Sequence, residues 1–173
     1  PIYCKEYIDI CRYIKTTNPN IHIFTITNGS YKTTEWWADL ASVLNARDTI
    51  NFSIDGYDNA SNNLYRVNSN FDSIINGIQT VREHNQGVFL NWATIVFSFN
   101  QDHLDSIKQQ ATDLGMDGLQ LTKSTKFGSK YGGYGGTSVP LEPRSEFISS
   151  TDRYERTLIE LSDRRQDTQN YLE

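Results

Sequence analysis

Tyr7, Ile10, Cys11 and Ile14 recur at three- and four-residue spacing, which puts them on one face of a helix over 5–17 that Pro19 closes. The stretch Ile21 to Thr27 is short, rich in β-branched residues and followed by Asn28-Gly29, so it predicts a strand ending in a turn. Thr33 or Thr34 can cap the next helix, whose inner face is Trp37, Leu40, Ala41 and Leu44. Over 49–55 the pattern becomes strict alternation, with Ile50, Phe52 and Ile54 on one side of a strand and Asn51, Ser53 and Asp55 on the other. Asn70 stands where it caps a helix with the buried stripe Phe71, Ile74, Ile75, Ile78 and Val81, and a strand over 88–97 follows. Asn100 takes the cap position of another helix, with Leu104, Ile107, Ala111 and Leu114 inward and Gly115 just past its end. Leu119 to Lys123 is a fourth strand.

Strands separated by helices predict parallel pairing, because a parallel neighbour needs a crossover of about a dozen residues and a helix supplies it. A strand covered on both faces would be apolar on both, yet 49–55 carries Asn, Ser and Asp on one side. Gln120, Thr122 and Ser124 repeat that polar side. The fold expected is therefore α/β, an arc of a parallel (βα) barrel with about four βα units and a site on its polar inner face. This unit spans 1–128. A Gly/Tyr/Pro-rich loop over 129–144 follows, and then a segment over 145–173 whose narrow stripe of Tyr154, Leu158 and Leu161 predicts a helix.

Composition narrows the partners. Of 173 residues, 37% are hydrophobic, which suits a packed globular unit. Sixteen basic against 21 acidic residues leave a net charge of -5, so a nucleic-acid partner is not expected. The longest apolar run, around Trp92 to Phe99, is far short of the roughly 20 residues that span a bilayer, and no membrane partner is expected. Two cysteines make no disulfide framework, and a reducing cytoplasm is the expected setting. His22, His84 and His103 have no metal-ligand spacing, so no metal ligand is assigned.

In parallel α/β folds ligands bind beyond the carboxyl ends of the strands, which directs attention to Thr27-Asn28-Gly29, Ser53-Ile54-Asp55-Gly56, Phe97 to Asn100, and Lys123-Ser124. By themselves these residues have structural alternatives: Ser53 can satisfy a backbone group, Asp55 and Asn28-Gly29 can shape turns, Asn100 can cap a helix, and Leu121 can simply pack. The ordered phrases ITNGS, FSIDG with Leu64-Tyr65-Arg66 shortly after, IVFSFN and KSTKFG resemble the core of a radical S-adenosylmethionine (SAM) enzyme. They look most like the branch whose barrel precedes a SPASM or twitch domain. The resemblance runs from Pro1 to about Gly128.

That resemblance implies a six-stranded (βα)6 partial TIM barrel with SAM and a [4Fe-4S] cluster as cofactors inside it, Ser53 hydrogen-bonding SAM and Arg66 pairing with its carboxylate. It also implies cofactor contacts at Asp55, Asn28, Gly29, Asn100 and Leu121, the last against adenine. The activity implied is reductive cleavage of SAM to a 5′-deoxyadenosyl radical that abstracts hydrogen from a peptide or small metabolite, with an electron donor as partner. The family's C-x3-C-x2-C cluster loop has no counterpart here, since Cys4 and Cys11 do not fit it. Pro1 matches the proline of the family's Gly-Gly-Glu-Pro type motif, so the expectation is that the chain begins just after it and that this piece alone is inactive. Two other readings compete: a non-catalytic degenerate barrel that only binds, and an unrelated (βα) barrel hydrolase using Asp55 as acid or base.

Overall fold

The computed structural model describes residues 3–125, 127 and 141–163. Helix α1 (Tyr7–Thr17) leads into strand β1 (Phe24–Thr27), followed by α2 (Thr34–Val43), β2 (Thr49–Ser53), a one-turn α3 (Asn59–Asn63) and α4 (Phe71–His84). Then come β3 (Phe89–Ile95), α5 (Leu104–Asp113), β4 (Gly118–Lys123), a 3-10 turn (Ser145–Phe147) and β5 (Glu155–Glu160). The strands form one sheet in the order β1-β2-β3-β4-β5, parallel from β1 to β4, with β5 antiparallel at the edge. The sheet is open. It is a mixed α/β layer in which each parallel step is made by a helical crossover, the long connection that parallel neighbours need. No described helix is long and apolar enough to cross a membrane.

The alternation over 49–55 is realised as two chemically different faces. Ile50, Phe52 and Ile54 are fully buried and share one hydrophobic cluster with Trp37 and Leu40 of α2, Ile74 and Ile78 of α4, Ile107 of α5, and Leu90 and Trp92 of β3. The opposite face carries no helix among the described residues. Asn70 caps α4 by accepting from Ser73 N at 3.0 Å, and Thr33, not Thr34, caps α2 by accepting from Trp36 N at 3.3 Å. Gly115, at φ +68, follows α5 as the expected left-handed terminator.

Two buried aspartates fasten the other ends of the strands. Asp48, just before β2, accepts from Ile23 N and Asn45 N, both at 2.8 Å, and pairs with Lys15 of α1. Asp117, just before β4, accepts from Leu90 N at 2.9 Å and from Arg82 Nη2 at 2.7 Å. Each carboxylate joins two neighbouring strands to a helix, and neither bond set is visible in the hydropathy pattern.

The segment expected to be helical after residue 145 is corrected by the structure: 155–160 is a strand. Leu158 and Leu161 lie three apart and mimic a helical stripe, but pairing with the otherwise open edge of β4 satisfies a row of backbone groups that a helix there would leave bare. Period two then turns Ile159 and Leu161 toward the core, and Arg156 and Leu158 the other way. Most of the Gly/Tyr/Pro-rich loop (128–140) and the end of the chain (164–173) lie outside the described residues.

Candidate functional site

The helix-free face of the sheet holds a cavity of about 410 Å³. Its floor is mixed, with Asn51 and Ser53 of β2 and Gln120 and Thr122 of β4 on either side of Ala93 and Ile95 of β3. Phe24 and Ile26 of β1 form an apolar wall on one side, Tyr154 and Arg156 stand on the other, and Asp55 and Arg66 close the end beyond the carboxyl terminus of β2. Its volume and mixed lining are those of a small-molecule site.

The end of β2 is held by a compact set of bonds. Asn62, fully buried, accepts from Asp55 N at 2.9 Å and Gly56 N at 3.0 Å, while its own amide donates to Ser69 Oγ at 2.8 Å. A Cβ on Gly56 would stand 2.1 Å from Asn62 N, so only glycine lets the chain pass there. This clamp fixes the short loop that carries Arg66, whose own N–H donates to Asn62 O at 2.9 Å. Arg66 Nε then meets Asp55 Oδ2 at 2.6 Å, and its guanidinium lies 5.7 Å from the Tyr65 ring centre.

Asp55 is fully buried. Its Oδ1 accepts from Ile95 N at 2.7 Å. Burial pushes its carboxyl above the ordinary range, opposed by the Arg66 charge and by the Ile95 N–H. The aspartate occupies only the Nε side of Arg66; among the described residues no acceptor is bonded to Nη1 or Nη2, which leaves up to four N–H donors of a planar fork at the cavity. The Ser53 hydroxyl likewise has no hydrogen-bond partner among the described residues, so it does not serve a backbone group.

Three of the seven cofactor residues expected from the sequence, Ser53, Asp55 and Arg66, therefore line one cavity. The other four are placed elsewhere. Asn100 is buried beneath the site and donates to Asp55 O at 2.7 Å and Ile95 O at 2.8 Å while accepting from Phe97 N at 2.8 Å. It is not the cap of α5, whose cap position is His103 with no side-chain bond; its amide is committed to the ends of β2 and β3. Asn28 accepts from Ser30 N in its own turn at 3.4 Å. Gly29, at φ +74, faces the helix layer, where a Cβ would come within 3.1 Å of Ile74 and Phe52. Leu121 packs against the hydrophobic cluster on the helix side of β4.

Tyr154 and Arg156 were not anticipated, because a helix was expected where β5 runs. The signal that could have found them is the alternation Arg156, Leu158, Glu160 against Thr157, Ile159, Leu161. Asn51 was readable as polar-face but was not singled out; it accepts from the Asn91 amide across the sheet.

The cavity offers a cationic fork for a carboxylate, a hydroxyl, amides on the floor and an apolar wall for a ring. An iron-sulfur cluster does not fit the described residues. No group of three His, Cys, Asp or Glu is placed to hold a metal among them, and Cys11 is buried in the core on α1. No protein-family model matches the chain, and no curated protein matches it significantly.

Proposed function

We propose that this chain is the SAM-holding arc of a radical SAM-type (βα)6 partial barrel. The observation that carries this is the convergence of Ser53, Asp55 and Arg66 at the carboxyl end of β2, on the sheet face that bears no helix among the described residues. In this reading Arg66 holds the SAM carboxylate through Nη1 and Nη2, Asp55 fixes the guanidinium from behind, and Ser53 bonds a polar group of the nucleoside. Phe24 and Ile26 supply an apolar surface for a ring. In this family a [4Fe-4S] cluster would supply the electron for SAM cleavage, and its thiolate ligands are not among the described residues. A cytoplasmic setting, an electron donor and a peptide or small metabolite as substrate go with this reading.

Isothermal titration of SAM into the chain tests it. Arg66→Ala should weaken binding by roughly ten- to a hundredfold, the range for loss of a charge-assisted hydrogen bond, while Arg12→Ala, whose side chain pairs with Asp9 on the exposed side of α1, leaves it unchanged. No measurable SAM binding, or equal binding by both variants, overturns the proposal.

A second reading is favoured by the missing thiol set: the chain as a binding module without cluster chemistry of its own. Anaerobic reconstitution with iron and sulfide tests this second reading. A stable cluster on this chain would refute the binding-module reading. A hydrolase built on Asp55 has less support, since both its carboxylate oxygens are engaged and no second carboxylate lines the cavity among the described residues.

A further inference from the structure

Arg12, Arg66, Arg82 and Arg144 each pair with a carboxylate. Arg153 and Arg156 pair with none among the described residues, although the chain carries a net charge of -5 and acidic side chains are plentiful. Both exposed guanidinium groups line a second cavity, of about 340 Å³, together with Thr125, Asp152 and Tyr154. Tyr154 and Arg156 also line the first cavity, so they form the wall between the two.

The acidic residue nearest in sequence to both arginines is turned away from them. Glu155 Oε1 accepts from Ser150 N and Ser150 Oγ, each at 2.7 Å, and from Ser149 Oγ at 3.0 Å. Those bonds hold its carboxylate on the other side of β5 and keep it ionised below the usual carboxylate range. Two like charges three residues apart, with their natural counter-ion withdrawn and, among the described residues, Asp152 as the one carboxylate lining the cavity with them, favour an oxyanion from outside. A planar guanidinium binds a carboxylate or phosphate through two parallel N–H bonds, and Thr125 and Tyr154 add hydroxyls.

We infer that Arg153 and Arg156 form a second ligand site, for the carboxylate or phosphate group of a small molecule. The site stands on the arginine geometry alone. Its further reading, as the subsite for the acidic group of a co-substrate whose remainder enters the neighbouring cavity past Tyr154, rests on the SAM proposal above.

The test is an NMR titration of the whole chain at low salt with inorganic phosphate and, separately, with glutarate, following arginine Nε–H resonances. Saturable shifts at Arg153 and Arg156 are expected, larger than those at Arg12, and Arg156→Gln or Arg153→Gln should weaken binding by about tenfold. Tighter phosphate binding would identify a phosphate group, and tighter glutarate binding a carboxylate; either outcome supports the site. Non-saturating shifts equal to those at Arg12, or unaltered binding by both variants, overturn it. The same titration is repeated with SAM present. Retained phosphate binding with no SAM binding sinks the functional proposal and keeps this site; displacement of phosphate by SAM shows a single shared site and overturns the inference.

Discussion

Replacing Arg66 by Ala leaves Asp55 fully buried with its Ile95 N–H bond but without a counter-charge at 2.6 Å. Deleting one partner of a buried pair costs roughly 3–5 kcal/mol. The Arg66 side chain is 23% exposed, so water restores part of the lost neutralisation and the expected cost is near the low end, about 3 kcal/mol at pH 7. That is a large part of the roughly 5–15 kcal/mol that a domain of this size commands.

The loss should depend on pH in a definite direction. Burial already raises the Asp55 pKa above its ordinary value, with the Arg66 charge as the largest opposing influence. A carboxyl whose folded pKa lies above its unfolded one binds more protons when folded. Its contribution is therefore complete below the unfolded pKa and is lost as pH rises through the folded one. Without Arg66 the folded pKa climbs further, and the stability lost extends over a wider window at up to about 1.4 kcal/mol per pH unit. Urea denaturation at pH 4 and pH 7 should show a penalty for Arg66→Ala that is small in acid and full at neutrality. Adding Asp55→Asn to that variant should recover most of the neutral-pH loss, because no buried charge remains. An equal penalty at both pH values, or no recovery in the double variant, would refute this account.

Asn100→Asp distinguishes the two roles of that residue: Asp caps helices as well as Asn does, so a cap would tolerate the change, whereas loss of the donors to Asp55 O and Ile95 O should cost about 2–4 kcal/mol by urea denaturation. Gly77→Ala reverses the usual sign. Alanine ordinarily stabilises a helix interior by about 1 kcal/mol, but here its Cβ would lie 2.5 Å from Trp37 Nε1, and a net loss of about 1–3 kcal/mol is expected in the same assay. Arg82→Lys keeps the charge but cannot reproduce the bonds to Gly115 O, Gln86 O, Val88 O and Asp117, so thermal melting should fall by roughly 4–16 °C for a cost of about 2–4 kcal/mol. Spectrophotometric titration should find Tyr7 ionising only at about 12, because burial disfavours its phenolate; loss of that step in Tyr7→Phe assigns it.

Local pattern determined the parallel part of the sheet. The alternation over 49–55 placed Ile50, Phe52 and Ile54 in the core and Asn51, Ser53 and Asp55 on the cavity face, because side chains on a strand have a period of two whatever surrounds them. The helix stripes and the cap at Asn70 were legible for the same reason: each depends on residues three or four apart. Ser53, Asp55 and Arg66 were found through the order of strand-end phrases, but that Asp55 backs Arg66 could not be read from spacing, since Arg66 reaches it through the Asn62 clamp.

Only tertiary structure decided the rest. Asn100 looked like a cap because its neighbours in sequence form a helix; it serves instead the ends of β2 and β3, one of which lies 45 residues away. Lys15 with Asp48 and Arg82 with Asp117 join helix to strand across 33 and 35 residues, distances at which no local periodicity carries information. Most plainly, 155–160 became a strand because β4 presented an unpaired edge, and the satisfaction of that edge outweighed a weak helical stripe. Secondary structure at a sheet edge is set by the partner, which is why Arg156 and the second cavity became visible only in the folded chain.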